Sequence, residues 1–102
     1  MMPQMRTYIV GSVHHKGARE AVLELRADEV LTLRREPANK FDRNAVAVYD
    51  ACGQMLGYIP RQDAPAVAKV LDLKLPAVAK CRVRGTTSVE INWETKQYEQ
   101  RP

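Results

Sequence analysis

The chain is poor in cysteine, aromatics and long apolar runs, and each scarcity excludes something. Two cysteines, Cys52 and Cys81, occur in 102 residues. Neither has C-x-x-C or Cys/His spacing, so no disulfide framework and no zinc site is expected. Cys81 lies in an apolar alternation and reads as core, whereas Cys52 beside Gly53 reads as an exposed turn thiol. No apolar stretch approaches the roughly 18 residues of a membrane span, and "MMPQMRTYIVG" lacks the order of a signal peptide. A cytoplasmic protein without membrane association is therefore expected. There is no G-x-S-x-G, no phosphate-cradling glycine loop and no His/Cys/carboxylate cluster, so neither an enzyme nor a cofactor is expected. The aromatics include one Phe and one Trp. That single Phe, Phe41, stands in the most hydrophilic stretch, "REPANKFDRNAVAV", between Lys40 and Asp42.

What is present is ordinary globular material: 45% hydrophobic and 27% charged residues, too apolar for disorder. The length predicts a single domain over residues 1–102, with a core at about 7–95 and flexible termini, the "EQRP" end being frayed. The net charge is +4, with eight Lys and Arg before Asp50 and eight after it. This mild surplus suits a polyanionic partner without requiring one.

Periodicity sets out the elements. Residues 7–13, "TYIVGSV", are β-branched and aromatic and read as a first strand with a bulge at Gly11. Ala18, Ala21, Val22 and Leu25 fall at helical spacing. Residues 30–36 read as a second strand that Pro37 stops. Residues 45–50 and 55–59 flank a turn at Gly53 and read as a hairpin. Asp63 is a plausible N-cap for a helix with Pro65 in its first turn and Val67, Val70 and Leu71 inward. Residues 77–84 alternate Val78, Lys80, Arg82 and Arg84 against Ala79, Cys81 and Val83, and residues 89–93 put Val89, Ile91 and Trp93 on one face. The sum is a mainly β (α+β) fold, a small OB/SH3-like barrel of six antiparallel strands with two short helices.

Several residues carry chemistry, each beside a plainer role. Asn39, Asp42 and Asn44 suit Asx turns in a loop; alternatively Asp42 accepts a ligand hydroxyl, with Phe41 as an exposed plate. Lys40 and Arg43 around them favour a nucleic-acid terminus, with phosphate on cations, base on the ring and sugar hydroxyl on the carboxylate. His14 and His15 point to opposite faces of an extended chain, so they are surface residues or stacking partners for bases rather than metal ligands. Tyr58 alternates with Leu56 and reads as core or as site lining, while Arg61 near a helix N-terminus can hold phosphate. The basic face of Lys80, Arg82 and Arg84 is either solvated or tracks a nucleic-acid backbone. Glu36, Asp42 and Asp50 would have to gather around a divalent ion for a nuclease, which nothing in their spacing requires.

Taken together, "REPxNxxDxNAVxV" followed by "GYIPR", preceded by "VGSVHHKG", resembles the HIRAN domain family over residues 9–83. That family occurs alone in bacteria and phages and at the N-terminus of eukaryotic fork-remodelling translocases. The resemblance implies an OB-like six-stranded barrel that binds single-stranded DNA by capturing a 3′ end, in DNA repair or replication-fork processing. It implies that Asp42 bonds the terminal 3′-hydroxyl, that His14 and His15 stack on end bases, that Phe41 lines the pocket and that Tyr58 approaches the terminal nucleotide. The eukaryotic end-binders carry an arginine and two tyrosines where this chain has Val13, His14 and His15, and a tyrosine at Phe41, so weaker or less end-selective binding is implied. A helicase, nuclease or other repair enzyme is the implied partner. The competing expectation is a protein-interaction or adaptor domain without nucleic-acid binding, with a metal-dependent nuclease third.

Overall fold

Six short runs of apolar alternation, cut by turns, form six antiparallel strands: β1 (Gln4–Tyr8), β2 (Val30–Arg35), β3 (Val46–Tyr49), β4 (Met55–Tyr58), β5 (Ala77–Cys81) and β6 (Ser88–Trp93). Two helices, α1 (Ala18–Leu23) and α2 (Ala64–Asp72), and a 3-10 turn at Ser12–His14 complete the elements among the described residues. The structure is a computed structural model and describes residues 3–95. The expected frayed end at residues 99–102 lies outside the described residues. Among the described residues no helix is long and apolar enough to cross a membrane.

The strand order is β1-β6-β5-β2-β3-β4, with every neighbouring pair antiparallel. The central β2–β5 pairing is short, Val30 with Lys80 and Leu31 with Ala79. Past it the sheet curls until its two ends meet: Val10, two residues beyond β1, bridges Tyr58 of β4. Val10 N–H donates to Tyr58 O at 2.8 Å and Tyr58 N–H donates back at 2.9 Å. The mainly β architecture read from the pattern therefore forms as a curled half-barrel with two helices.

Inside the curl, Leu56, Ile91, Val46, Val48, Val67, Val89 and Cys81 are fully buried. Each large aliphatic among them contributes about 1.5–3 kcal/mol relative to exposure. Cys81 is core as expected, and burial pushes its thiol pKa up. Val67 and Val70 face inward from α2, with Leu71 half-buried at the edge. Trp93 is likewise only partly buried against the core.

Four local expectations need correction. The first strand is Gln4–Tyr8 rather than residues 7–13, because Gly11 takes a left-handed conformation (φ 81°) that turns the chain into the 3-10 turn. His14 is thus in a turn, not after a strand. Asp63 occupies the N-cap position without capping; its Oδ2 instead accepts the Thr7 hydroxyl at 2.7 Å, tying α2 to β1. The fifth strand ends at Cys81, so Arg82, exposed Val83 and Arg84 lie beyond it and no continuous basic strand face forms.

Closure depends on Gly57. Its φ is 144°, and a Cβ there would stand 2.3 Å from Val10 O and 2.7 Å from Ile9 Cγ2. Gly57→Ala combines overpacking with a strained backbone and is expected to destabilise the fold by about 2–4 kcal/mol. A drop in the urea midpoint measures it; an unchanged midpoint would show that the closure yields freely.

Candidate functional site

The loop from β2 to β3, residues 36–45, is polar because its side chains satisfy its own backbone. Asn39 Oδ1 accepts the N–H groups of Phe41 (2.9 Å) and Asp42 (3.1 Å). Asp42 Oδ1 accepts Asn44 N–H at 2.9 Å, and Asp42 O accepts Ala45 N–H at 3.0 Å. At the loop's base the Arg35 guanidinium donates to Arg43 O and Ala45 O, both at 3.0 Å, and reaches Asp72 of α2 at 2.9 Å. The Asx-turn role thus holds for Asp42 and belongs to Asn39 as well. Asn44 supplies a backbone N–H rather than a side-chain acceptor.

With the backbone so occupied, two groups are left over. Phe41 is 83% exposed, so it does not fold back over the barrel end. Asp42 Oδ2 has no hydrogen-bond partner among the described residues, although Oδ1 is held. Both residues line a cavity of about 220 Å³ together with Val10, Asn39, Tyr58 and Arg61. A more open hollow adjoins it across the loop, sharing Phe41, Asp42 and Arg61 and adding Lys40, Arg43 and Pro65.

Tyr58 joins this loop to the other side of the site. Its hydroxyl donates to Glu36 Oε1 at 2.8 Å, and the same oxygen accepts Asn39 Nδ2–H at 3.1 Å. The His15 ring lies 5.7 Å from the Tyr58 ring, tilted by 49°. His14 is exposed and lines neither hollow. The turn carrying both histidines is pinned to β4: Ser12 Oγ donates to Leu56 O at 2.6 Å, and Gln54 Nε2 donates to Lys16 O at 2.9 Å.

The structure therefore gathers Phe41, Asp42, Tyr58 and Arg61 around one cavity, puts Lys40 and Arg43 beside it and sets His15 against Tyr58. His14 alone stands apart. Sequence reasoning missed the supports Arg35, Ser12 and Gln54, and it weighed Glu36 only as a metal ligand. The Glu36/Asp42/Asp50 set does not assemble: Asp50 Oδ1 is spent on Cys52 and Gln54 N–H in the β3–β4 turn. No group of three metal-ligating residues occurs among the described residues.

Burial, reinforced by the Glu36 hydrogen bond and charge, pushes the Tyr58 pKa up to about 12 from 10.0. The folded value lies above the unfolded one, so this term of stability is whole below pH 10 and is lost as pH rises through about 12. The denaturation-midpoint difference between wild type and Tyr58→Phe is expected to be flat up to pH 10 and to shrink above it. A difference constant to pH 12 would contradict this.

The HIRAN domain profile matches residues 4–97. The helicase-like transcription factor of Mus musculus is 36% identical over 74 residues, 72% of this chain and 7% of that protein. The Fanconi-associated nuclease 1 homolog of Oryza sativa subsp. japonica is 41% identical over 69 residues, 65% of this chain and again 7% of that protein. The chain thus spans about 7% of the length of these relatives. The crystal structure of the HIRAN domain of human HLTF superposes with a TM-score of 0.78 at 22% identity, covering 93% of this chain and 78% of that one. A protein from Lactobacillus plantarum gives a TM-score of 0.78 at 20% identity, covering 91% and 97%. The HLTF HIRAN domain in its DNA-bound conformation gives 0.60 at 21% identity, covering 95% and 79%. The profile match across nearly the whole described chain makes this protein a member of the HIRAN domain family.

Proposed function

We propose that this chain is a non-enzymatic single-stranded DNA-binding module that prefers a free 3′-hydroxyl end. The observation that carries the proposal is Asp42: one carboxylate oxygen is fixed by the Asn44 N–H, and the other has no partner among the described residues, in a residue that lines a cavity beside an exposed phenyl ring. A carboxylate held this way is a preorganised acceptor for one hydroxyl proton. Phe41 offers a stacking face for the terminal base, and Lys40, Arg43 and Arg61 surround the acceptor with cations for phosphates. His15 extends the stacking surface from Tyr58, whereas His14 reaches a strand only outside the cavity. Family membership supports DNA as the ligand, since the HLTF relative has a DNA-bound conformation. The matched relatives are named as helicase-like and nuclease proteins, which supports a targeting role that brings a helicase, nuclease or other repair enzyme to DNA ends in repair or fork processing.

Fluorescence anisotropy with short single-stranded oligonucleotides ending in 3′-hydroxyl or 3′-phosphate tests this. Wild type should favour the hydroxyl end, with log affinity falling against log salt at a slope of about −2 for some three phosphate contacts. Asp42→Asn keeps the Oδ1 acceptor for the turn but puts a donor in place of Oδ2; the fold should persist and the end preference should vanish. Phe41→Ala should weaken both ends together, by about 1–3 kcal/mol for one stacked base. Equal affinity of wild type for both ends would refute end capture, absence of binding at low salt would favour an adaptor, and cleavage on adding Mg²⁺ would restore the nuclease alternative.

A further inference from the structure

Glu36 lines neither of the two hollows at the site, yet it decides what Tyr58 can offer a ligand. A carboxylate only accepts hydrogen bonds and a phenol has a single proton to give. The 2.8 Å contact therefore commits the Tyr58 proton to Glu36 Oε1. The Asn39 amide, donating to that same oxygen at 3.1 Å, holds the carboxylate where it is. Tyr58 lines the cavity, and its oxygen is left with lone pairs only, which the nearby Asn39 amide also faces. Asp42 also lines the cavity, and its Oδ2 is likewise an acceptor.

We infer that Glu36 is a specificity-determining positioning residue: by locking the Tyr58 hydroxyl as an acceptor and adding a negative charge behind it, it turns the cavity against a terminal phosphate. The inference rests on the 3′-end function proposed above and assigns its selectivity to two carboxylates rather than one. A sugar hydroxyl brings a proton that the Tyr58 oxygen or the Asp42 carboxylate can accept, while Arg61 on the same cavity remains the donor for a phosphate. A 3′-phosphate brings acceptors and negative charge, and meets like charge from Asp42 directly and from Glu36 through the phenol. The alternative, a free Tyr58 hydroxyl, would donate to phosphate and favour the wrong end. The main-chain position of Tyr58 does not depend on this proton, because both of its backbone groups are bonded to Val10.

The test compares wild type, Glu36→Gln, Tyr58→Phe and the double variant in the same two-oligonucleotide anisotropy assay, with thermal denaturation as the check on folding. Glutamine keeps an acceptor oxygen but loses the charge and can turn a donor toward the phenol, which frees the phenol proton. The ratio of 3′-hydroxyl to 3′-phosphate affinity is expected to fall roughly three- to tenfold, the scale of one net hydrogen bond, mainly by a gain in phosphate-end binding. A merely structural role would weaken both ends together. Tyr58→Phe should lower the ratio similarly, and the double variant should lower it no further, since both act through one hydroxyl. Alkaline absorbance titration supplies a second signature: the Tyr58 step near 12 should move down in Glu36→Gln. If Glu36→Gln does not fold, Tyr58→Phe carries the test alone. An unchanged ratio in folded variants, with Asp42→Asn abolishing it, would overturn the role of Glu36 and leave end capture standing. A wild type without end preference would overturn both.

Discussion

Where the half-barrel closes, one backbone passes another with no space for a side chain. Gly57 makes that passage possible, since the position of its missing Cβ is already filled by Val10 O. The site depends on this contact. Both backbone groups of Tyr58 are spent on Val10, which fixes where the phenol ring stands. One residue after Val10 the chain turns at Gly11 into the segment that brings His15 against that ring. A wider closure would move His15 away from Tyr58. The cavity is thus a consequence of how the sheet ends meet, and Val10 is part of its wall for the same reason.

The β2–β3 loop is held by a different economy. Its polar side chains serve backbone groups that would otherwise need water, so a ten-residue connection keeps a definite shape without a core of its own. Arg35 anchors it to α2, with a side chain only 18% exposed against 58% for Asp72. An ion pair with one partner so open to solvent contributes little to stability. Its planar fork instead sets geometry, holding two loop carbonyls and a carboxylate at once. Phe41 is left outside, its backbone N–H held by Asn39 and its ring exposed.

Much of this was legible in the sequence where the signal was local. Alternation located β2 and the β3–β4 hairpin, Gly53 marked the turn, and Pro65 with Val67 and Val70 marked α2. "NKFDRNAV" announced both an Asx loop and an exposed ring, and both are there. The first strand was misplaced because a β-branched run carries the same signal on either side of Gly11, and only the closure decides where pairing stops. Asp63 looked like a cap because capping is local, whereas its partner Thr7 lies 56 residues away. Arg35, Glu36 and Gln54 share that fate. Their roles are set by Asp72, Tyr58 and Lys16, at separations of 37, 22 and 38 residues. A motif can show that such residues occur together, but not which of them touch.

The arrangement of charge at the site divides its work by distance. Lys40, Arg43 and Arg61 are exposed on the rim, where their fields extend about 8–10 Å before salt screens them. That range suits drawing in any polyanion, and the net charge of +4 adds to it. Asp42 and Glu36 are half-buried, one at the cavity and one behind Tyr58. Their influence is short-ranged and falls on whatever group reaches the bottom. A site with cations throughout would bind phosphate everywhere and could not tell the end of a strand from its middle. In the end-binding role proposed above, negative charge at the centre of a positive rim costs some affinity for the backbone, and that cost would let a terminal hydroxyl be distinguished.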